Sequence, residues 1–120
     1  MSNNPVSLSP VPAVADGATR GPITQNVTAS GDTTLVASAG AELSIIVTNV
    51  WLSNADAASI LVSLREGGGG QDRWKGTLAA SGGGYVAAFH PAWKLPPGTA
   101  LVVNLGATGN VDANVQFHRE

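Results

Sequence analysis

The sequence predicts an all-β domain, a sandwich or a barrel, on three observations. Residues 111–120 alternate without a fault: Val111, Ala113, Val115 and Phe117 fall on one side, Asp112, Asn114, Gln116 and His118 on the other. A period of two puts alternate side chains on opposite faces of a pleated strand, one buried and one wet. Short β-branched and aromatic runs recur along the rest of the chain, separated by Gly and Pro turns at the roughly 8–12-residue spacing of sandwiches and barrels. No segment carries apolar residues at i, i+3, i+4 and i+7 over a dozen positions, so no helix is expected.

Taken in order, residues 1–22 hold Pro5, Pro10, Pro12 and Pro22. Proline fixes φ and removes a donor, which excludes helix and central strand. Val6, Leu8, Val11 and Val14 nevertheless supply scattered apolar anchors that a purely solvated linker does not need. Two readings stand: a disordered tail, or an extended arm that lies on a neighbouring subunit and orders on assembly. The division expected is an arm over 1–22 and a β domain over 23–120.

Residues 23–28 read as a short edge strand, Gly31 and Asp32 as a turn, and 33–38 as a strand anchored by Leu35. The run 42–52 is the most apolar. Its β-branched content favours strand over helix, and its apolar residues fall on both faces. It is therefore a central strand covered on each side, or one with a bulge that switches faces. Residues 53–58 are turn-rich. Residues 59–65 resume with Ile60, Val62 and Leu64 on one face. The four glycines 67–70 make a flexible hairpin tip. Residues 73–78 alternate again, with Trp74 inward. Residues 81–84 form a second tip, 85–89 a strand, and Leu95-Pro96-Pro97-Gly98 a tight turn. Leu101–Leu105 and 111–120 read as a closing hairpin joined by a loop over 106–110.

Composition bounds the function. A chain of 120 residues is one domain, large enough to bury a core without staples. With no cysteine, disulfides, thiolate metal sites and cysteine nucleophiles are excluded. A net charge of -2 and six Lys+Arg that form no run give no footprint for nucleic acid. No 18-residue apolar stretch is present to span a membrane, and no Sec-type signal peptide is expected. Charged residues are 12% of the chain, against roughly 25% in ordinary domains. So weakly charged a surface suits contact with other protein, although an Ala/Gly-rich β domain of no special role would share it.

No constellation for chemistry emerges. The glycine run 67–70 lacks the Lys-Ser/Thr and the helix N-terminus of a phosphate loop. His90 and His118 stand in no metal-binding spacing, and the carboxylates are isolated, so neither a metal site nor a glycosidase pair can be assembled. No catalytic residue, metal or cofactor is therefore expected. Trp51 and Trp74 fit inward positions in alternating strands; Trp93 and Tyr85 are less determined. Three tryptophans could instead form a sugar-stacking platform, which keeps a glycan-binding module open.

Several segments form a pattern: Thr34-Leu35-Val36, the Ala39-Gly40 turn, Ile46-Val47-Thr48-Asn49, the Ser-Asn-X-Asp-Ala-Ala connection over 53–58, the strand after it, and Trp93-Lys94-Leu95-Pro96-Pro97-Gly98-Thr99-Ala100-Leu101. Over residues 23–120 this resembles the small β-sandwich virion proteins of tailed bacteriophages, in particular capsid decoration (cement) proteins. Gly98-Thr99 departs from the Gly-Asp frequent in that family. The resemblance implies a jelly-roll-like antiparallel sandwich, a homotrimer on the phage head surface, made in the bacterial host cytoplasm. Its partners would be the major capsid protein and itself, with no nucleic acid and no membrane. The expected contact residues are Pro5, Val6, Leu8, Val11 and Val14 of the arm, Trp93, and the wet row Asp112, Asn114, Gln116 and His118. The alternative is a tail, receptor-binding or glycan-binding sandwich module.

Overall fold

The alternation along 111–120 belongs to the last of eight strands in a computed structural model of the chain, which describes residues 20–38 and 40–120. The strands are β1 (Ile23–Val27), β2 (Gly31–Val36), β3 (Ile45–Asn54), β4 (Ile60–Glu66), β5 (Asp72–Leu78), β6 (Gly83–Lys94), β7 (Leu101–Leu105) and β8 (Val111–Arg119). They form two antiparallel four-stranded sheets, in the orders β1-β8-β3-β6 and β2-β7-β4-β5. The pairs β1–β8, β2–β7, β3–β6 and β4–β5 are all present. The chain is thus one long hairpin with its tip at 67–70, rolled so that β3 also meets β8 and β4 also meets β7. This is a jelly roll.

The inward sides of the two sheets make one core. Val47, Val50 and Leu52 of β3 meet Val62 and Leu64 of β4, Leu101, Val103 and Leu105 of β7, and Val111, Val115 and Phe117 of β8. Trp74 stacks on Tyr85 at 4.3 Å between ring centroids, and both pack against this core from its margin. Burial at roughly 25 cal/mol per Å2 of apolar surface is the main force holding the sheets together.

Three expectations need correction. Strands β7 and β8 are not a hairpin: they lie in different sheets. The loop 106–110 crosses the sandwich and is tied on both sides. Gly106 N–H donates to Leu61 O of one sheet, Gly109 N–H to Thr28 O beside the other, and Asn110 O accepts from Ala55 N–H. Gly31 and Asp32 are not the turn but the start of β2; the bend lies at 29–30, and Gly31 takes φ 89° to enter the strand. Trp51 faces outward, not inward, with 39% of its surface exposed.

The cause of that outward turn is a bulge in β3. Against β8, Val47 pairs with Phe117 and Asn49 with Gln116, so Thr48 is the extra residue. Its Oγ1 donates to Gln116 O at 3.2 Å. On the other side, residues 89–92 of β6 stand opposite the same point. One extra residue flips every later side chain to the other face. Ile45 and Val47 point inward before the bulge, and Val50, Leu52 and Asn54 after it.

Candidate binding face

The outer face of the β1-β8-β3-β6 sheet is built from the wet row of β8. Register places Asp112 between Asn26 of β1 and Ser53 of β3, and Asn114 between Thr24 and Trp51. Gln116 lies beside Asn49, and His118 between Arg20 and Ile46. Strand β6 completes the rows with Gly84, Val86, Ala88 and Lys94 opposite Ser53, Trp51, Asn49 and Ile46. The expected residues Asp112, Asn114, Gln116 and His118 therefore do share one face.

Polar groups on this face are only partly satisfied. Thr24 Oγ1 donates to Asn114 Oδ1 at 2.5 Å, and Asn26 Nδ2 donates to Asn110 Oδ1 and Asp112 Oδ1 at 2.6 and 2.9 Å. Among the described residues, the side chains of Asn49, Ser53 and Gln116 make no hydrogen bond. His118 Nε2 lies 3.3 Å from Glu120 Oε2. Two large apolar side chains are exposed side by side in the middle: Trp51, and Val86 at 62%.

The other outer face differs. Asp32 of β2, Asn104 of β7 and Ser63 of β4 lie in one row with Lys75 of β5. Asp32 Oδ1 accepts from Arg65 at 3.0 Å and from Asn104 Nδ2 at 2.8 Å, while Oδ2 accepts from Gly69 N–H at 2.7 Å. Arg65 also donates to Asp72 at 2.5 Å. The amide of Asn104, then the Gly69 N–H and Arg65, hold the Asp32 carboxyl below its usual range. The bond to Asp72 raises Arg65 further above its already high value. This network ties β2, β4, β5 and β7 to the tip at 67–70.

Trp93 is not on either face. It sits opposite Val47 on the inward side of β6, 5.6 Å from Phe89, and its Nε1 donates to Glu66 Oε2 at 2.9 Å. Pro5, Val6, Leu8, Val11 and Val14 lie outside the described residues. What sequence reasoning missed is Trp51. The run Val47-Thr48-Asn49-Val50-Trp51 offered two parities, and nothing local marked Thr48 as the extra residue. Among the described residues no three His, Asp or Glu side chains converge on a point that could hold a metal ion. The first face offers amides, hydroxyls and an aromatic ring, the chemistry of neutral hydrogen bonding and stacking.

The described residues form an eight-stranded jelly-roll sandwich with one charge-clamped face and one tryptophan-centred face whose two central rows are uncharged. No model of a known protein family matches the sequence, and no characterised protein does. Among solved structures, the chain is similar to one in the cryo-EM structure of a virus-like particle of the giant freshwater prawn (Macrobrachium rosenbergii) extra small virus. The two share 15% identity at a TM-score of 0.40, over 98% of this chain and 92% of that one.

Proposed function

We propose that the protein is a non-enzymatic structural protein of a virion: a capsid decoration (cement) protein that binds the major capsid protein lattice of a tailed phage and stabilises the head. The observation that carries this reading is the root of the N-terminal arm. Arg20 bridges to His118 and Gly21 N–H donates to Phe117 O at 3.0 Å, so sheet pairing reaches back past β1. Arg20, the first described residue, stands beside His118 in the end row of the first face. A proline-rich segment with apolar anchors suits addition to a neighbouring subunit. The low charge supports assembly, and the resemblance of residues 23–120 to decoration proteins supplies the partner. A homotrimer would let several weak contacts add through avidity.

Antibody-labelled electron micrographs of intact virions test the reading. Label on the head surface is the expected result, and heads stripped of the protein should rupture at lower temperature. Label confined to tails overturns it in favour of a receptor- or glycan-binding tail module, the second reading, which the exposed Trp51 favours. Light scattering should give a mass three times 12.0 kDa.

A further inference from the structure

We propose that the outer face of the β1-β8-β3-β6 sheet is a binding platform for a neutral oligosaccharide, centred on Trp51. The inference does not depend on whether the protein sits on a head or a tail.

Three observations point to this ligand class. Trp51 is exposed in the middle of a sheet face, flanked by Asn114 on β8 and Val86 on β6. Indole is an amphipathic ring whose π-face favours polarised C–H groups, and the flat C–H side of a pyranose presents such groups. The second observation is the supply of uncommitted polar groups around the ring. Thr24 occupies Oδ1 of Asn114 and leaves Nδ2 free to donate. Among the described residues, the side chains of Asn49, Gln116 and Ser53 make no hydrogen bond; Asn49 and Ser53 stand one two-residue step from Trp51 and Gln116 on its diagonal, so both donors and acceptors surround the ring. Hydroxyl-rich ligands need this mixture, since each sugar hydroxyl both donates and accepts. Third, the two central rows, through Asn114 and Gln116, carry no charge. Asp112 lies one row away at one end, and Lys94 and Arg20 at the other. The electrostatic complement of that centre is a neutral ligand.

A protein partner fits less well. Four strands at about 4.8 Å and four rows at about 7 Å give a platform on the order of 500 Å2 in projection. Stable protein contacts bury about 800 Å2 on each partner. The platform matches a chain of a few sugar rings.

The test is titration of the full chain with cellohexaose, chitohexaose and mannohexaose, followed by tryptophan emission, with a hyaluronan hexamer as anionic control. The expected result is an emission change with at least one neutral hexamer, little altered by salt. Trp51→Ala should lose the response, and Asn114→Ala should weaken binding by at least about tenfold. Trp74 and Trp93 are unchanged in both variants, so any response they gave would persist. Absence of an emission change with all three neutral hexamers at about 10 mM, above the millimolar Kd of weak binding, overturns the proposal. So does a response that survives in Trp51→Ala, or a preference for the anionic hexamer. A change of oligomeric mass in Trp51→Ala without any sugar response also overturns it and assigns the face to protein contact. Melting curves of both variants should match the parent within a few degrees, and Trp51→Phe supplies a second, milder probe of the ring.

Discussion

The two outer faces of the sandwich have the same pleat and strand number but dispose of their polar groups in opposite ways. On the β2-β7-β4-β5 face, Asp32 accepts from three partners and Arg65 spans two carboxylates. Those groups consume one another, and one of their bonds ties Gly69 of the 67–70 tip to Asp32. On the β1-β8-β3-β6 face, Asn49, Ser53 and Gln116 spend no side-chain hydrogen bond within the described protein, and the bulge at Thr48 turns Trp51 out among them. A face whose polar groups satisfy each other contributes to stability; one that leaves them open is available to something outside.

The contrast can be broken most severely by inserting one alanine between Asn49 and Val50. A second extra residue in β3 would turn Val50 and Leu52 outward and Trp51 and Ser53 inward. Loss of cooperative unfolding and of the near-UV circular dichroism signal is expected. Next in size is Asn54→Ala. Asn54 is fully buried where both sheets end; its Nδ2 donates to Ala58 O at 2.9 Å and Ala79 O at 3.1 Å, and its Oδ1 accepts from Asp56 N–H. Leaving those groups unpaired should cost about 2–3 kcal/mol in urea unfolding while changing neither face.

The paired variants Trp74→Ala and Trp51→Ala sharpen the comparison. Trp74 stacks on Tyr85 against the core, and its loss should cost about 2–3 kcal/mol, toward the low end for aromatic truncation because the ring is half-buried. Trp51 has only cross-strand neighbours on an open face, so its loss should cost under about 1 kcal/mol. Equal destabilisation in the two would refute the assignment of Trp51 to the outer face.

The smallest effect concerns acid. The Asp32 pKa in the folded protein lies below its ordinary value of 3.8. Its stabilising contribution is therefore complete above the unfolded pKa and is lost as pH falls through the folded one. Melting temperatures recorded from pH 5 downward should fall less steeply in Asp32→Asn than in the parent. The same substitution should leave the tryptophan-centred face unaffected.

Most strands were legible because alternation is a direct imprint of burial. The fault-free row of β8 needs no more than period two, and the tip at 67–70 follows from four successive glycines. Which strand joins which sheet was not legible. The loop 106–110 looks like a hairpin, yet its bonds to Leu61, Thr28 and Ala55 come from segments far away in sequence. The face of Trp51 was hidden for a related reason. A bulge is fixed by what both neighbouring strands do, and β6 and β8 lie well downstream. Asn54 read as one polar residue in a turn-rich stretch, because its partners at Ala58 and Ala79 assemble only when two loops meet. Trp93 illustrates the converse: its ring nitrogen is committed to Glu66, a pairing between residues 27 positions apart.

The pairing of β1 with β8 also sets an order of events during synthesis. Thr24 and its partner Asn114 are 90 positions apart. As the chain leaves the ribosome, β1 has no neighbour in its sheet until β8 arrives, and β3 must wait for both β6 and β8. Only the β4–β5 hairpin can close early. Sheets assembled from distant partners fold slowly, since chain entropy is lost before the contacts that offset it form. In the interval, the apolar stretch of β3 is exposed and unpaired, and its fate depends on how quickly the remainder of the chain is made.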